Sequence, residues 1–532
     1  MSLPSLPAQR AAIGDAESTG FIAALPADGC GHDLVIVANR LPVDGVVEAD
    51  GSTTWHTSPG GLVAAMQPVM QRNGGAWVGW SGSAGEVPSP FDVNDMHLVP
   101  VPLTAADVTD FYEGFSNATL WPLYHDVIAP PRFERSWWHA YVRVNERFAA
   151  AAATAVKPGG TVWVHDYQLQ LVPAMLRRLR PDLRIGFFNH IPFPGYEIFA
   201  QLPWRREVVQ GLLGADLIGF QRQADATNFL RACRRAAALQ TRRGTVWVPD
   251  RANSHTRHRD APGDHQGSRA AEHGRPVTVD RFPISIDYEA YGELARRQDV
   301  RARAAAIRDA LGNPRHILLG VDRLDYTKGI SHRLIAYEEL LDEGRLSPPT
   351  VVLVQVASPS RERVEQYRLL REEIEGTAGR INGQHAMLGT PAVHYLNHSY
   401  PREEMAALYL VADVMLVTPL RDGMNLVAKE YVACRTNEDG VLVLSEFTGA
   451  ADELGSAFTI NPHDIEGVKD AIMRALTVTP RESQRRMRSM RTRIRTHDVH
   501  RWAEAFLDRL AATHPVHVQA PSVHVDTVPS VE

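Results

Sequence analysis

The residues best suited to chemistry lie between Thr418 and Glu430, where an apolar strand gives way to a polar turn and then to a helix that starts near Leu426. Free backbone N–H groups at the start of a helix attract anions, typically phosphate, and Gly423 lets the backbone approach a ligand closely. Asp422 and Glu430 add carboxylates, which suit the hydroxyl groups of a sugar or a ribose. The segment therefore predicts a site for a nucleotide-sugar.

Two cations, Arg323 and Lys328, follow a predicted strand at residues 317–321. A forked guanidinium and a compact ammonium that converge across a turn suit a diphosphate, with an ion pair as the alternative interpretation. Arg361 follows another predicted strand, at residues 351–356, and there an ion pair is the commoner outcome. These cations predict the phosphate-binding part of the site.

Polar residues also follow the predicted strands of the first half of the chain, at the sheet edge where ligands of open parallel sheets collect. Arg40 can grip a phosphate with two hydrogen bonds, and Gly60-Gly61 can let the backbone approach a pyrophosphate; a surface arginine and a simple turn are the alternatives. Asp166 can accept a hydrogen bond from a sugar hydroxyl or cap the helix after it. His190 lies in a loop stiffened by prolines, where it can donate to a hydroxyl or be a satisfied core residue.

Three absent motifs narrow the chemistry. The Gly-x-Gly at Gly29 and Gly31 lacks the third glycine of a dinucleotide fingerprint, so the sequence does not indicate a dehydrogenase. The sequence contains no Gly-x-x-x-x-Gly-Lys loop of an ATPase and no Asp-x-Asp that would hold a metal on a diphosphate. Arginine and lysine must then neutralise the leaving group, and we expect neither a metal nor a cofactor.

The elements that position these residues follow from the rhythm of the chain. Short apolar segments alternate with helical stretches, which is typical of parallel sheets covered by helices. The predicted strands are 34–38, 77–80, 162–165, 185–189 and 217–220 in a first series and 317–321, 351–356, 393–396, 414–417 and 441–444 in a second. We therefore predict an α/β protein with two Rossmann-like, doubly wound parallel-sheet domains.

Changes in composition predict the domain boundaries. Residues 1–32 and 514–532 have no apolar rhythm and are predicted to be disordered. The first domain is predicted at 33–282, with an exposed loop at 251–276, and the second at 283–490. Residues 491–513 are predicted to form a closing helix that packs back on the first domain.

Composition and charge exclude several classes of protein. The chain has 532 residues, 44% hydrophobic and 22% charged, and its net charge of −6 gives no electrostatic case for nucleic acid or a membrane surface. Cys30, Cys233 and Cys434 are too few for a disulfide framework, and no apolar run reaches the roughly 18 residues of a membrane-spanning helix. We expect a cytoplasmic protein without nucleic-acid or membrane partners.

A set of motifs spread over residues 33–510 carries a family resemblance. The motifs are Asn39-Arg40, Gly60-Gly61-Leu62, Gly79-Trp80-Ser81-Gly82, Phe115-Ser116-Asn117, Leu120-Trp121-Pro122, His165-Asp166-Tyr167, His190-Ile191-Pro192-Phe193-Pro194, Arg323-Leu324-Asp325-Tyr326-Thr327-Lys328-Gly329 and Arg421-Asp422-Gly423-Met424-Asn425-Leu426-Val427-Ala428-Lys429-Glu430. Together they resemble the trehalose-6-phosphate synthase family. The resemblance implies the GT-B architecture, two Rossmann-like domains facing a cleft. It also implies transfer of glucose, with retention, from UDP-, ADP- or GDP-glucose to glucose 6-phosphate.

The resemblance assigns roles to the matching positions. The residues that would hold the acceptor, glucose 6-phosphate, are Arg40, Tyr112, Trp121, Asp166 and Arg361. Those that would hold the nucleotide-glucose donor are Gly60, Gly61, Arg323, Lys328, Asp422, Gly423, Met424, Asn425, Leu426, Val427 and Glu430. Those at the reacting centre would be Asp166, His190, Arg323, Lys328 and Asp422.

Several alternatives stay open at this point. Retention can follow from front-face attack, or from double displacement with Asp422 as the nucleophile. The acceptor can be another phosphate ester such as glycerol 3-phosphate, or the chain can be a non-catalytic regulator that binds sugar phosphates. A phosphorylase would need a lysine for pyridoxal phosphate, whereas Lys328 and Lys429 are better assigned to phosphate. We expect a homo-oligomer, either a dimer or a tetramer.

Overall fold

The computed structural model describes residues 31–47, 53–57, 63, 66, 70, 75–85, 88–249 and 274–513. Gly60 and Gly61 lie outside these residues. So do the predicted tail at 514–532, nearly all of the predicted extension at 1–32 and most of the predicted loop at 251–276.

The first half of the chain builds a ten-stranded sheet and a separate hairpin. Its strands are β1 (His32–Arg40), β2 (Val43–Val47), β3 (Thr53–Thr57), β4 (Ala76–Trp80), β5 (Phe91–Val93), β6 (Met96–Pro100), β7 (Val156–His165), β8 (Arg184–Asn189), β9 (Leu217–Phe220), β10 (Gln240–Arg242), β11 (Thr245–Pro249) and β12 (Gly274–Arg281). The sheet order is β10-β11-β12-β9-β8-β7-β1-β4-β6-β5, and β2 pairs with β3. The central strands from β12 to β6 are parallel, and antiparallel pairs lie at the two edges.

The second half builds a six-stranded sheet in which every pair is parallel. Its strands are β13 (His316–Arg323), β14 (Val351–Ser358), β15 (Val393–Leu396), β16 (Val414–Val417), β17 (Val441–Ser445) and β18 (Phe458–Ile460), in the order β15-β14-β13-β16-β17-β18. The sheet reverses its direction of growth between β13 and β16, as doubly wound sheets do. The prediction of two Rossmann-like sheets is confirmed.

Helices connect the strands in both halves. The α-helices are Ala105–Asp107, Trp121–Tyr124, Arg135–Ala155, Val172–Leu179, Tyr196–Phe199, Arg205–Leu212, Gln223–Ala237, Tyr288–Arg296, Gln298–Ala310, Ile330–Asp342, Glu365–His385, Arg402–Val411, Leu426–Cys434, Ile465–Thr477, Pro480–Thr496 and Val499–Ala511. A π-helix spans Val108–Leu120, and short 3₁₀ turns span Tyr167–Leu169, Tyr326–Lys328 and Gly449–Asp452. None of the helices in the described ranges is long and apolar enough to cross a membrane.

Both faces of the first sheet are buried. Along β1, Val35 and Val37 pack into the core on one face, and Leu34 and Ile36 pack into the core on the other. Burial on both faces is typical of parallel strands covered by helices. The carboxyl ends of these strands are therefore the part of the sheet left for a ligand.

The helix Val499–Ala511 completes the core of the first domain. The ring of Phe506 stacks on Trp163 of β7, with centroids 4.3 Å apart. Gly186 and Gly219 make room for Phe506, because a Cβ atom at either glycine would lie within 2.7 or 2.8 Å of its ring. The last described helix of the chain thus packs on the sheet of the first domain.

Two boundaries differ from the sequence prediction. Position 490 lies inside the helix Pro480–Thr496, and the break comes after it, where Asp498 caps the next helix by accepting from the backbone N–H of Arg501 (3.0 Å). The predicted loop 251–276 ends too late, since β12 begins at Gly274. A Gly-Arg-Pro start is typical of a loop, but here Arg275 pairs with Val248 of β11.

Candidate active site

Two loops at the carboxyl edge of the second sheet are tied to each other. The backbone N–H of Leu420, after β16, donates to the carbonyl of Thr327, after β13 (2.8 Å). Gly329 has φ +63°, and a Cβ there would lie 2.1 Å from the carbonyl oxygen of Thr418. These contacts bring Lys328 within 2.6 Å of Asp422, as measured from Nζ to Oδ2. The two segments that the sequence singled out therefore form one site.

Arg333 lies beneath the two loops, on the core side of the site, and its hydrogen bonds hold the segments that carry them. It is fully buried and donates to Asp322 (2.9 Å), Gln355 (2.7 Å) and the hydroxyl of Thr418 (3.0 Å). Its partners belong to β13, to β14 and to the loop after β16, so one side chain links all three. Removing one member of such a buried pair leaves an uncompensated charge, which costs about 3–5 kcal/mol.

Asn425 prepares the start of the helix Leu426–Cys434. It has φ +83°, its side-chain oxygen accepts from the backbone N–H of Ala428 (3.0 Å), and its amide donates to Asp422 (3.2 Å). The backbone N–H groups of Leu426 and Val427, in the first turn, have no acceptor within the helix. The helix therefore presents donors suited to an anion.

Gly423 and Met424 fix this turn against its surroundings. A Cβ at Gly423 would lie 2.2 Å from the carbonyl oxygen of His190, so the turn touches the backbone of the first domain. Met424 is buried, and its carbonyl accepts from the N–H of Ala450 (2.8 Å). Gly423 has no side chain and that of Met424 is buried, so both residues contribute through the position of their backbone.

Two carboxylates flank this turn, and they differ in whether their hydrogen-bond partner is charged. Burial would raise the pKa of Asp422, but the charge and hydrogen bond of Lys328, together with the hydrogen bond from Asn425, hold that pKa below its usual value. Burial raises the pKa of Glu430, which accepts a hydrogen bond from the hydroxyl of Tyr409 (2.8 Å). Asp422 is thus an ion-paired carboxylate, and Glu430 is oriented by a neutral donor.

Two arginines from the second domain lie against the ring of Trp121, which belongs to the first domain. The guanidinium of Arg361 lies 3.8 Å from its ring centroid and that of Arg323 lies 5.4 Å away. Arg361 also donates to Tyr167 of the first domain (3.0 Å) and lies 3.5 Å from Asp325 of the second. Arg361 therefore pairs with Asp325 at the junction of the two domains, and its contact with an acceptor phosphate stays a prediction.

Arg40 lies with aromatic residues at the carboxyl end of β1. Its guanidinium is 5.2 Å from the ring of Trp80, which in turn meets Tyr112 edge-on at 5.6 Å. It pairs with Asp44 (2.6 Å), and both side chains are about 40% exposed, so the pair is weak and can yield to an anionic ligand. A Cβ at Gly82 would overlap the guanidinium, which shows how closely the chain wraps around it.

Asp166 and His190 lie side by side at the ends of β7 and β8. Asp166 has φ +74°, its N–H donates to Phe188 (2.8 Å), and its Oδ1 accepts from the N–H of His190 (3.2 Å). No side-chain hydrogen bond from Asp166 caps the turn that follows. Burial raises the pKa of Asp166 to about 6, and burial lowers the pKa of His190 to about 3.

A comparison with known proteins decides the family. The sequence model described as glycosyltransferase family 20 matches residues 32–512. The chain belongs to glycosyltransferase family 20. A trehalose-6-phosphate synthase of Mycobacterium bovis is 56% identical over 491 residues, which cover 91% of this chain and 95% of the relative.

Solved structures agree with this membership and confirm the predicted GT-B architecture. An α,α-trehalose-phosphate synthase (UDP-forming) from Burkholderia vietnamiensis superposes with a TM-score of 0.78 at 36% identity, covering 90% of this chain and 98% of the other. One from Burkholderia xenovorans in complex with glucose-6-phosphate has a TM-score of 0.78 at 33% identity, covering 90% and 100%. This chain is a glycosyltransferase with two Rossmann-like domains.

The family 20 glycosyltransferase uses Lys429 differently from the prediction. Lys429 was predicted to bind phosphate, but it is buried and donates to the carbonyl of Ile284 (2.7 Å) and to Glu453 (2.5 Å). Consecutive helical residues point about 100° apart. Glu430 points towards Tyr409, and the preceding residue, Lys429, points into the core instead. The prediction that Lys429 binds phosphate is therefore wrong.

Sequence reasoning also missed His125 of this glycosyltransferase. Its ring is fully buried against Trp121, with centroids 4.2 Å apart, and lies close enough to Asp422 and Lys328 to feel their charges. Burial lowers its pKa to about 4, so the ring is neutral. The one signal in the sequence that could have pointed to His125 is its position shortly after the Trp121-Pro122 motif. That motif alone does not show whether the ring faces the site or the solvent.

Proposed function

We propose that this glycosyltransferase transfers glucose, with retention, from a nucleotide-glucose to glucose 6-phosphate, which gives α,α-trehalose 6-phosphate and a nucleoside diphosphate. The observation that carries the proposal is the cation cluster between the two sheets, in which Arg323 and Arg361 lie over the ring of Trp121 and Lys328 pairs with Asp422. A donor diphosphate and an acceptor phosphate bring more negative charge than one cation can balance. The names of the relatives support the same pair of substrates.

The donor is proposed to lie over the second sheet. Arg323 and Lys328 bind its diphosphate, together with the free N–H groups of Leu426 and Val427. Glu430 accepts from the ribose and Asp422 from glucose hydroxyls. Gly60 and Gly61, which lie outside the described residues, are proposed to close over the diphosphate as the resemblance implies.

The acceptor is proposed to lie against the first domain. Arg40 and Arg361 bind its phosphate, and Tyr112 and Trp121 line the pocket with aromatic surface. Asp166 accepts from an acceptor hydroxyl, which orients the sugar towards the donor. His190 lies on the other side of Asp166, where its ring faces the transferred glucose.

Front-face attack is the route that we propose for retention. The bond from the anomeric carbon to the leaving phosphate oxygen breaks as the acceptor oxygen bonds to that carbon from the same face. The proton of the acceptor hydroxyl moves to a leaving phosphate oxygen, while Arg323 and Lys328 stabilise the negative charge. The ion pair of Asp422 with Lys328 supports this route, because a carboxylate held by an ammonium is a poor nucleophile.

The test is release of nucleoside diphosphate from UDP-, ADP- and GDP-glucose, with and without glucose 6-phosphate, in EDTA. We expect release that depends on glucose 6-phosphate and is fastest with UDP-glucose, since several solved relatives are UDP-forming. Release that depends on glycerol 3-phosphate instead would contradict the proposed acceptor. Absence of release with every donor would favour a sugar-phosphate-binding regulator.

A homo-oligomer, either a dimer or a tetramer, stays a prediction.

A further inference from the structure

Two imidazole rings meet beneath the reacting centre. Nδ1 of His165 lies 3.0 Å from Nε2 of His190. His165 is fully buried at the end of β7, whereas His190 is partly exposed after β8. Because His165 cannot reach a substrate, the roles proposed above leave it without an explanation.

The contact allows two arrangements of protons. A neutral imidazole has one N–H and one bare nitrogen, so one ring must donate and the other accept. Both rings are neutral: burial lowers the pKa of His190 to about 3, and burial together with the neighbouring His190 lowers the pKa of His165 well below its usual value. Either His165 donates from Nδ1, or His190 donates from Nε2.

The second nitrogen of His165 distinguishes the two arrangements. Its Nε2 is buried beside the ring of Trp163 and has no hydrogen-bond partner within the described residues. If His190 donated, this nitrogen would carry an N–H without an acceptor. If His165 donates, the nitrogen is an unused acceptor, and buried unpaired N–H groups are rarer in native proteins than underused acceptors.

We propose that His165 donates from Nδ1 to Nε2 of His190 and so holds His190 in the tautomer that carries its proton on Nδ1. With Nε2 occupied, Nδ1–H is the ring nitrogen of His190 left for a substrate. His190 then offers a hydrogen-bond donor, which suits a sugar hydroxyl or phosphate oxygen. His165 is a positioning residue. The inference rests on the proposed function, since it explains how His190 acts there.

Two variants at position 165 separate this role from packing. His165→Asn keeps an N–H donor near the position of Nδ1 but loses the ring, whereas His165→Phe keeps a ring and loses the donor. We expect kcat for nucleoside diphosphate release to fall about tenfold in His165→Phe, the worth of one hydrogen bond, and to fall less in His165→Asn. KM for the donor should stay unchanged in both. Higher activity in His165→Phe than in His165→Asn would overturn the proposal.

Trp163→Phe is the matched packing control, because it alters the same aromatic cluster and its own ring N–H has no partner in the described part of the chain. Its kcat should stay within about twofold of the unsubstituted protein, well short of the loss of one hydrogen bond. A loss as large as that in His165→Phe would assign the effect to packing and overturn the proposal.

A measurement on the unsubstituted protein needs no activity. Nitrogen NMR of protein labelled with ¹⁵N-histidine distinguishes the two neutral tautomers, and loss of a signal in His190→Gln assigns the ring. We expect His190 to be protonated on Nδ1 and bare on Nε2. The opposite tautomer would overturn the inference even if glucosyl transfer is observed, so its failure is distinct from failure of the proposed function.

Discussion

Asp166 combines a strained backbone with a buried carboxyl group. A φ of +74° is uncommon for a residue with a side chain and costs on the order of 1–3 kcal/mol, which the hydrogen bonds to Phe188 and His190 help to offset. Strain of this kind is kept where geometry serves a site. The sequence placed Asp166 at a strand end but gave no sign of the strain, because neighbouring strands impose it.

The pH dependence of activity tests the role of Asp166. Burial raises its pKa to about 6, so the carboxylate that is proposed to accept from a hydroxyl is present above pH 6 and is lost as the pH falls. We expect kcat/KM to decline below about pH 6 and Asp166→Asn to abolish this decline together with most activity. Phosphate monoesters also titrate near pH 6, so a decline that persists in Asp166→Asn would belong to the substrate.

Arg323→Ala tests the diphosphate site. We expect kcat/KM to fall about 10- to 100-fold with UDP-, ADP- and GDP-glucose alike, because the guanidinium is proposed to bind the phosphates and not the base. Arg363→Ala, which removes a guanidinium 79% exposed and 3.7 Å from Glu113, should leave kcat/KM unchanged. Loss with one base alone would contradict the assignment of Arg323.

Elements were predicted better than the contacts among them. Each predicted strand lies in an observed one, since an apolar run between turn residues fixes a buried parallel strand wherever it packs. The polar residues after those strands were found for the same reason. Arg333 and His125 were missed, because nothing local distinguishes a buried arginine inside a helix, or a histidine after one, from a surface residue.

Gly423→Ala tests the contact between the turn after β16 and the loop after β8. A Cβ would lie 2.2 Å from the carbonyl oxygen of His190, and backbone must move on one side or the other. We expect kcat/KM to drop more than about tenfold, as the loss of one well-placed hydrogen bond would cause, with a lower Tm. The control is Gly455→Ala, where a Cβ meets nothing within 4 Å. Equal activity of the two variants would show that this contact is not needed.

At the scale of the whole molecule, ion pairs join the two domains in addition to the contacts of the cation cluster. Arg222 donates two hydrogen bonds of 2.8 Å to Asp452, and Arg421 lies 3.2 Å from Asp126 and 3.7 Å from Asp225. Each pair links one domain to the other. These contacts hold the cleft in the arrangement described above.

Asp452→Asn tests whether the pair with Arg222 favours this arrangement. A partly exposed pair is worth up to about 1 kcal/mol, so we expect KM for the donor to rise up to about fivefold at low salt with kcat unchanged. The difference should vanish near 1 M salt, where the screening length is about 3 Å. Asp470→Asn, which breaks a pair inside the second domain, serves as the control. If the difference in KM between Asp452→Asn and the unsubstituted protein does not change with salt concentration, the electrostatic explanation is contradicted.

The packing of Phe506 on Trp163 has a consequence for biosynthesis. The sheet that Phe506 covers ends at Arg281, yet the covering helix ends at Ala511. At the usual 5–20 residues per second, a ribosome needs roughly 10–50 s to bridge that interval. During this time the nascent first domain exposes an apolar groove floored by Gly186 and Gly219. This apolar surface therefore stays uncovered by its native partner until the helix Val499–Ala511 emerges, and we expect chaperones to bind the nascent chain during that interval.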